Sequence, residues 1–437
     1  SLLPEAEPFV QKFEFSHDEN NIRFDISSLN YALPEHTVMH YRIMSRQTAD
    51  TLWHTASVVN GLVDHRGVMH LSLLKAVPDD YVLQEWLNDH VFPIEGKLVG
   101  DDVYWAMLWA QAEMLATGTI AYTDMYMHLP KMAQAAVDGG LYANISNGAM
   151  CFNPAGYCFD TDGVTGQNRE VLERFHQADN GRVKLDVSIH AEYTSFPGLW
   201  QDFSAYAAEN GLNMHIHLSE TRAEHENCIA KYGKTPAAIL AENGVFNTRA
   251  TAAHCVWVSD ADMDLLREKQ VTVAHNPVSN LKLASGIAPV ARMLEKGVNV
   301  ALGTDGVCSN NNHDLFEEIK LAALLQKGVS GDPRLVPAQQ ALKMATRAGA
   351  FAQGREQEIG QLKEGFDASL ILVDTGKPGL YPVHNPVSTL AYSARGGDVY
   401  LTMIRGKVLY ENGIYTALDM ERIRSKMEPI LNRLFHA

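Results

Sequence analysis

Between about residues 57 and 345, short apolar runs alternate with longer stretches whose apolar residues recur every three or four positions. The runs predict β-strands at 57–63, 118–123, 142–146, 183–190, 213–217, 250–254, 271–275 and 298–303. The stretches between them predict amphipathic helices, for example at 101–116, 199–209, 235–242 and 259–268. Eight strands alternating with helices over nearly 300 residues point to an α/β fold, a (β/α)8 TIM barrel. The rival is a doubly wound open sheet, but no GxGxxG phosphate loop follows the first strand.

The texture changes after about residue 350. Segments 368–373 and 399–410 read as strands, the latter folded back on itself at Arg405-Gly406, and 419–435 reads as a closing helix. Strand-like fragments also occur at 21–26 and 37–43. The expectation is a small β domain built jointly from residues 1–56 and 350–437, flanking a barrel over 57–349.

Three predicted strands end in residues that can hold a metal. Asn213-Met-His-Ile-His-Leu-Ser-Glu220 closes one strand with His217 and places Glu220 in the following turn. Thr251-Ala-Ala-His254 closes another with His254, and Gly303-Thr-Asp-Gly306 closes a third with Asp305. The active face of a (β/α)8 barrel is formed by the C-terminal ends of its strands. Two imidazoles and a carboxylate suit a divalent transition metal, and a carboxylate beside them can move a proton to or from a metal-activated water. Taken singly, each has a duller explanation: a rim histidine with an ordinary hydrogen bond, or an Asx-turn at Asp305. In chain order at three strand ends, they point to a hydrolytic metal site.

Bulk properties narrow the classes further. The chain has 437 residues, 46% of them hydrophobic, enough for a large core. Its net charge of −16 argues against a nucleic-acid partner. The five cysteines are dispersed with no CxxC pair, as expected of reduced thiols in a cytoplasmic protein. No apolar run approaches a membrane span, and the acidic start lacks the pattern of a signal peptide. A small-molecule substrate is therefore expected, with homo-oligomerisation left open.

Several longer strings match one family in order: Glu85-Trp-Leu, Phe92-Pro-Ile-Glu95, Thr117-Gly-Thr, Tyr122-Thr-Asp-Met-Tyr126, His215-Ile-His-Leu-Ser-Glu220, Ala253-His-Cys255, His275-Asn-Pro-Val-Ser-Asn-Leu-Lys-Leu-Ala-Ser-Gly-Ile-Ala-Pro289, Gly303-Thr-Asp-Gly306, Ser309-Asn-Asn-Asn312 and Gly365-Phe-Asp-Ala-Ser-Leu370. From about residue 70 onward the chain resembles the amidohydrolase superfamily. Within it, the resemblance is to the nucleoside-deaminase branch of 5′-methylthioadenosine/S-adenosylhomocysteine deaminases, with triazine hydrolases as near relatives. The resemblance implies one zinc or other divalent transition metal per chain, held by His217 and Asp305, with His254 touching it or its water. It implies Glu220 as proton shuttle and Asp305 as a second acid/base in the addition of water to C6 of adenine. It also implies that Glu95 grips the ribose hydroxyls and that His190 contacts the nucleoside. Asn276, Ser279, Asn280 and Lys282 read, more plainly, as caps of the loop after strand seven.

Two departures stand out. The family supplies two ligands as His-x-His after strand one, where an ungapped alignment places Arg66 and Val68; His65 and His70 lie nearby. Arginine carries a fixed charge and valine has no donor atom. Second, residues 141–150 after the third strand's start contain no arginine to pair with an amino-acid carboxylate. That favours adenosine or methylthioadenosine over S-adenosylhomocysteine. The alternatives are a guanine- or triazine-type amidohydrolase, and a catalytically impaired relative that binds a nucleoside without turning it over.

Overall fold

The computed structural model describes residues 15–18, 21–24, 39–41, 56–65, 73, 75, 80, 81 and 85–435. The predicted alternation is present. Its parallel strands are β1 (Leu62–His65), β2 (Thr119–Met125), β3 (Tyr142–Ser146, resuming at Gly148–Ala149), β4 (Val183–Leu185, resuming at Val187–Ile189), β5 (Met214–Leu218), β6 (Ala250–His254), β7 (Thr272–His275) and β8 (Asn299–Leu302). They form two hydrogen-bonded arcs. One runs β1-β2-β3-β4 through the first halves of β3 and β4, and the other runs β3-β4-β5-β6-β7-β8 through their second halves. Sequential parallel neighbours require crossovers, which the intervening helices supply. The strands are buried almost throughout; every residue of β2 and β5 is shielded from water. Helices cover the outer face of such a sheet, so both faces of each strand are dry.

Between β8 and β1 the contact runs through a side chain. Asp64 accepts hydrogen bonds from Thr304 N (2.8 Å) and Thr304 Oγ1 (3.0 Å), while Val63 N donates to Ala345 O (2.9 Å).

The expected first strand, 57–63, is two elements. Ala56–Asn60 pairs antiparallel with Leu370–Asp374, and only Leu62–His65 joins the parallel arc. The break falls at Gly61, where a β-carbon would sit 2.4 Å from the Ile120 side chain, so only glycine lets the chain pass this close to β2. A continuous apolar run carries no mark of such a switch. The outer antiparallel sheet has the order Ile414–Tyr415, Lys407–Glu411, Val399–Ile404, Leu370–Asp374, Ala56–Asn60, Met39–Tyr41. N- and C-terminal segments thus join in one sheet, and the two-residue connection Arg405-Gly406 has the positive φ values (49° and 76°) of a tight hairpin turn.

Helix ends follow their local chemistry. Ser259 and Asp262 cap Asp260–Glu268 reciprocally, and Gly211, Gly233 and Gly331 end helices in the left-handed conformation. The last helix, Met420–Phe435, turns Ile423, Met427, Ile430 and Leu434 inward. Among the described residues no helix is long and apolar enough to cross a membrane.

Candidate active site

At the C-terminal ends of the parallel strands lies a cleft of about 460 Å³, counting its open mouth, lined by Trp86, Leu87, His190, Tyr193, His217, Glu220, His254, Leu283, Asp305, Gly306 and Ser309. Five of the six residues singled out from sequence meet here. The sixth, Glu95, ends the short helix Phe92–Glu95 and lies outside this lining. Its carboxyl accepts a hydrogen bond from Tyr126 Oη at 2.7 Å, and burial pushes its pKa up to about 7 against that bond.

His217 is the penultimate residue of β5. Its Nδ1 donates to the His190 carbonyl (2.8 Å), which also accepts the His217 backbone N–H (3.0 Å). This fixes the tautomer and leaves Nε2 with its lone pair for the cleft. Burial, with some repulsion from His254, holds the His217 pKa down at about 4, so the ring is neutral at physiological pH. His190, beside it at 4.9 Å between ring centres, is lowered to about 3 for the same reasons.

His254 ends β6 and stacks on His217 at 5.5 Å. Its Nδ1 bonds Asn280 Oδ1 (2.8 Å), and its Nε2 lies 3.7 Å from Glu220 Oε2. Burial opposes charge on this ring, but the carboxylates of Glu220 and Asp305 outweigh it and raise the pKa. Glu220 is itself raised, by burial first, with His254 pulling the other way; Ser285 Oγ donates to its Oε1 (3.0 Å).

Asp305 follows β8. Ser279 Oγ (2.6 Å) and Ser309 Oγ (2.9 Å) both donate to Oδ2, which orients the carboxylate and leaves Oδ1 for a further partner. Three strand ends also carry non-glycine residues in left-handed backbone: Ser219 (φ 47°), His254 (φ 70°), Cys255 (φ 48°) and Asp305 (φ 61°). Such conformations cost energy and cluster where a side chain must be aimed.

The loop after β7 departs from its plain reading. Ser279 and Asn280 are partners of Asp305 and His254 and not simple caps, whereas Lys282 does tie the loop, donating to Cys308 O (2.8 Å) and Asn311 Oδ1 (2.9 Å). Trp86, Leu87, Leu283 and Ser285 lay within matched strings with no role specified, and Tyr193 had no signal in the sequence. Ser309 lay within the Ser-Asn-Asn-Asn string, its role unspecified.

The donor set suits a divalent transition metal: a neutral imidazole with a fixed tautomer, an oriented carboxylate and a second imidazole alongside. Among the described residues, however, no three His, Cys, Asp or Glu side chains close on one ion-sized point. Arg66, Val68 and His70 lie outside the described residues, as does the side chain of His65.

Residues 69–409 match the amidohydrolase family. The chain is 44% identical over 375 residues to the 5-methylthioadenosine/S-adenosylhomocysteine deaminase of Dictyoglomus thermophilum, spanning 84% of this chain and 85% of that protein. It is 41% identical over 382 residues to the 5′-deoxyadenosine deaminase of Methanosarcina acetivorans, spanning 87% of each. The crystal structure of an adenosine deaminase from Xanthomonas campestris with bound zinc superposes with a TM-score of 0.82 at 30% identity, over 87% of each chain.

Proposed function

The chain belongs to the amidohydrolase family, and from that premise we propose that it hydrolytically deaminates an adenine nucleoside, adenosine or 5′-methylthioadenosine, with a divalent metal in the cleft. The observation that carries this reading is the meeting of His217, Glu220, His254 and Asp305 in one cleft at the ends of three parallel strands. The enzyme is a hydrolase acting on a C–N bond.

His217 Nε2 and Asp305 Oδ1 are the atoms that would hold the metal, with His254 adjacent. When bound, such an ion makes a water molecule acidic enough to act near neutral pH. Glu220 delivers a proton to N1 of the adenine ring as the water oxygen bonds to C6. Asp305 takes one proton from the adding water and returns it to the amino group, which leaves as ammonia when the C6–N bond breaks; the proton left on the C6 oxygen returns to Glu220 as the C6=O bond forms. Asn280 holds His254 so that Nε2 faces Glu220 and the water. His190 and Glu95 contact the nucleoside, Glu95 at the ribose hydroxyls. Trp86 and Leu87 form an apolar side of the cleft that excludes bulk water from the ring.

The architecture fits a (β/α)8 barrel closed between β8 and β1 through Asp64 and Thr304. We read the outer sheet, with Met39–Tyr41, Ala56–Asn60 and the strands from Leu370 onward, as the small β domain beside it. A neutral nucleoside is favoured over S-adenosylhomocysteine because Arg169, the nearest arginine in sequence after 141–150, is paired with Asp160 at 2.7 Å.

Ammonia release from adenosine, 5′-methylthioadenosine, S-adenosylhomocysteine, guanine and a triazine tests the reading. Turnover of an adenine nucleoside is expected. Turnover of guanine or the triazine alone would replace this substrate class by another of the family. Nucleoside binding without turnover would favour the impaired relative, which Arg66 and Val68 at the ligand positions support.

A further inference from the structure

The helix Leu315–Ser330 turns Leu315, Ile319 and Ala322 inward, and on the same face, three residues after Leu315, stands Glu318. Its side chain is fully shielded from water and does not line the cleft. A carboxyl taken out of water among apolar neighbours is costly unless donors meet it, so the donors that meet Glu318 show what it holds. We propose that Glu318 is a positioning residue: it ties the loops after β7 and β8 to one side chain and so aims both His254 and Asp305. The aiming role rests on the deaminase reading; the tie between the loops does not.

One arm of the tie enters the loop after β7. Glu318 Oε2 accepts the backbone N–H of Val278 (3.2 Å). Val278 lies in the first turn of the helix Pro277–Lys282, where an N–H has no partner within its own helix. The next two residues are the ones that reach the cleft. Ser279 Oγ donates to Asp305 Oδ2 (2.6 Å), and Asn280 Oδ1 meets His254 Nδ1 (2.8 Å). A shift of Val278 would therefore carry both contacts with it.

The other arm enters the loop after β8. Glu318 Oε1 accepts from Asn310 Nδ2 (2.6 Å), and the same nitrogen donates to Thr304 O (2.7 Å). Both atoms it meets are oxygens, which fixes the orientation of the buried amide. Thr304 and Asn310 bracket the segment that carries Asp305 and Ser309, and Ser309 Oγ gives the Asp305 carboxylate its second hydrogen bond (2.9 Å). Asp305 keeps left-handed backbone (φ 61°) within this bracket, a conformation a non-glycine residue holds only when its surroundings impose it. The two oxygens of Glu318 thus reach two loops. Both loops present a serine to Asp305, and one also presents Asn280 to His254.

The test compares E318L, E318Q and N310A in the full chain, each checked for folding by thermal unfolding and assayed with zinc saturating. Leucine at 318 removes both acceptors, glutamine keeps one, and alanine at 310 cuts only the arm to the loop after β8. With KM nearly unchanged, kcat should fall roughly 10–100-fold in E318L, and E318Q should recover part of the loss. Amide hydrogen exchange, read without substrate, should accelerate over 278–280 and 304–310 in E318L, and chiefly over 304–310 in N310A. Should E318L not fold, E318Q and N310A give the same readouts. Unchanged exchange in both segments would overturn the tie. Faster exchange with wild-type kcat would overturn the aiming role and leave the deaminase reading intact. Absence of turnover in every variant and in wild type, with exchange faster in the variants, would instead reject the nucleoside reading and keep the tie.

Discussion

Replacing Glu220 by glutamine isolates proton transfer from everything else this side chain does. The residue is 6% exposed, with one oxygen accepting from Ser285 at 3.0 Å and the other 3.7 Å from His254 Nε2. Glutamine has the same shape and keeps a carbonyl oxygen for Ser285, so packing and that hydrogen bond survive. The exchangeable proton does not. Loss of a positioned acid/base costs about 10²–10⁴-fold, or roughly 3–5 kcal/mol of transition-state stabilisation. The control is Ser285→Ala, which deletes only a hydrogen bond to a charged group, worth about 1.5–3 kcal/mol at most. Rates of ammonia release at saturating nucleoside, with metal content measured on the same samples, should rank wild type above S285A and S285A above E220Q. Metal content should be unchanged throughout, because Glu220 is not assigned as a ligand. A kcat for E220Q within a few-fold of wild type would remove Glu220 from the chemistry.

Four further outcomes are expected. Asn280→Ala should lower kcat about 10–100-fold, since the His254 ring loses the partner that sets its tautomer; initial rates against substrate concentration will separate this from a change in KM. His275 is buried, has no hydrogen-bond partner at either ring nitrogen among the described residues, and has its pKa lowered to about 3 by burial and by His254. Its folded pKa lies below the unfolded value, so its effect is absent above about pH 6.5, and stability is lost as pH falls from there toward 3. In urea titrations of metal-free protein, His275→Phe should therefore flatten the acid limb by up to about 1.4 kcal/mol per pH unit; an unaltered slope would contradict the burial argument. Arg66→His with Val68→His should raise zinc content and turnover together, by supplying two imidazoles and deleting a cation; full zinc occupancy and fast turnover in the unmodified chain would point instead to His65 or His70. The kcat/KM for adenosine or 5′-methylthioadenosine should exceed that for S-adenosylhomocysteine, and a reversed order would mean that a cation other than Arg169 receives the carboxylate.

Much of this was written locally. An apolar run that ends in a histidine or aspartate specifies both a buried parallel strand and a polar group at its exposed end. For that reason His217, His254 and Asp305 could be picked out in the chain, and the cleft brings them together. The helix starts at the caps Ser259 and Thr235 and at the first-turn proline Pro197 were equally legible, because such signals act within one turn. The switch at Gly61 was not, since its cause is the Ile120 side chain 59 residues away. Nor were the partners that aim the site. Asn280 meets His254 across 26 residues, Ser285 meets Glu220 across 65, and Thr304 meets Asp64 across 240. Serine and asparagine are common loop residues whose sequence context reads as a cap, and only the folded loop decides whether they turn toward the backbone or the cleft. The sequence by itself determined which groups carry the chemistry; the fold decided how they are oriented, because orientation depends on hydrogen bonds between segments that only the packed strands bring within 3 Å.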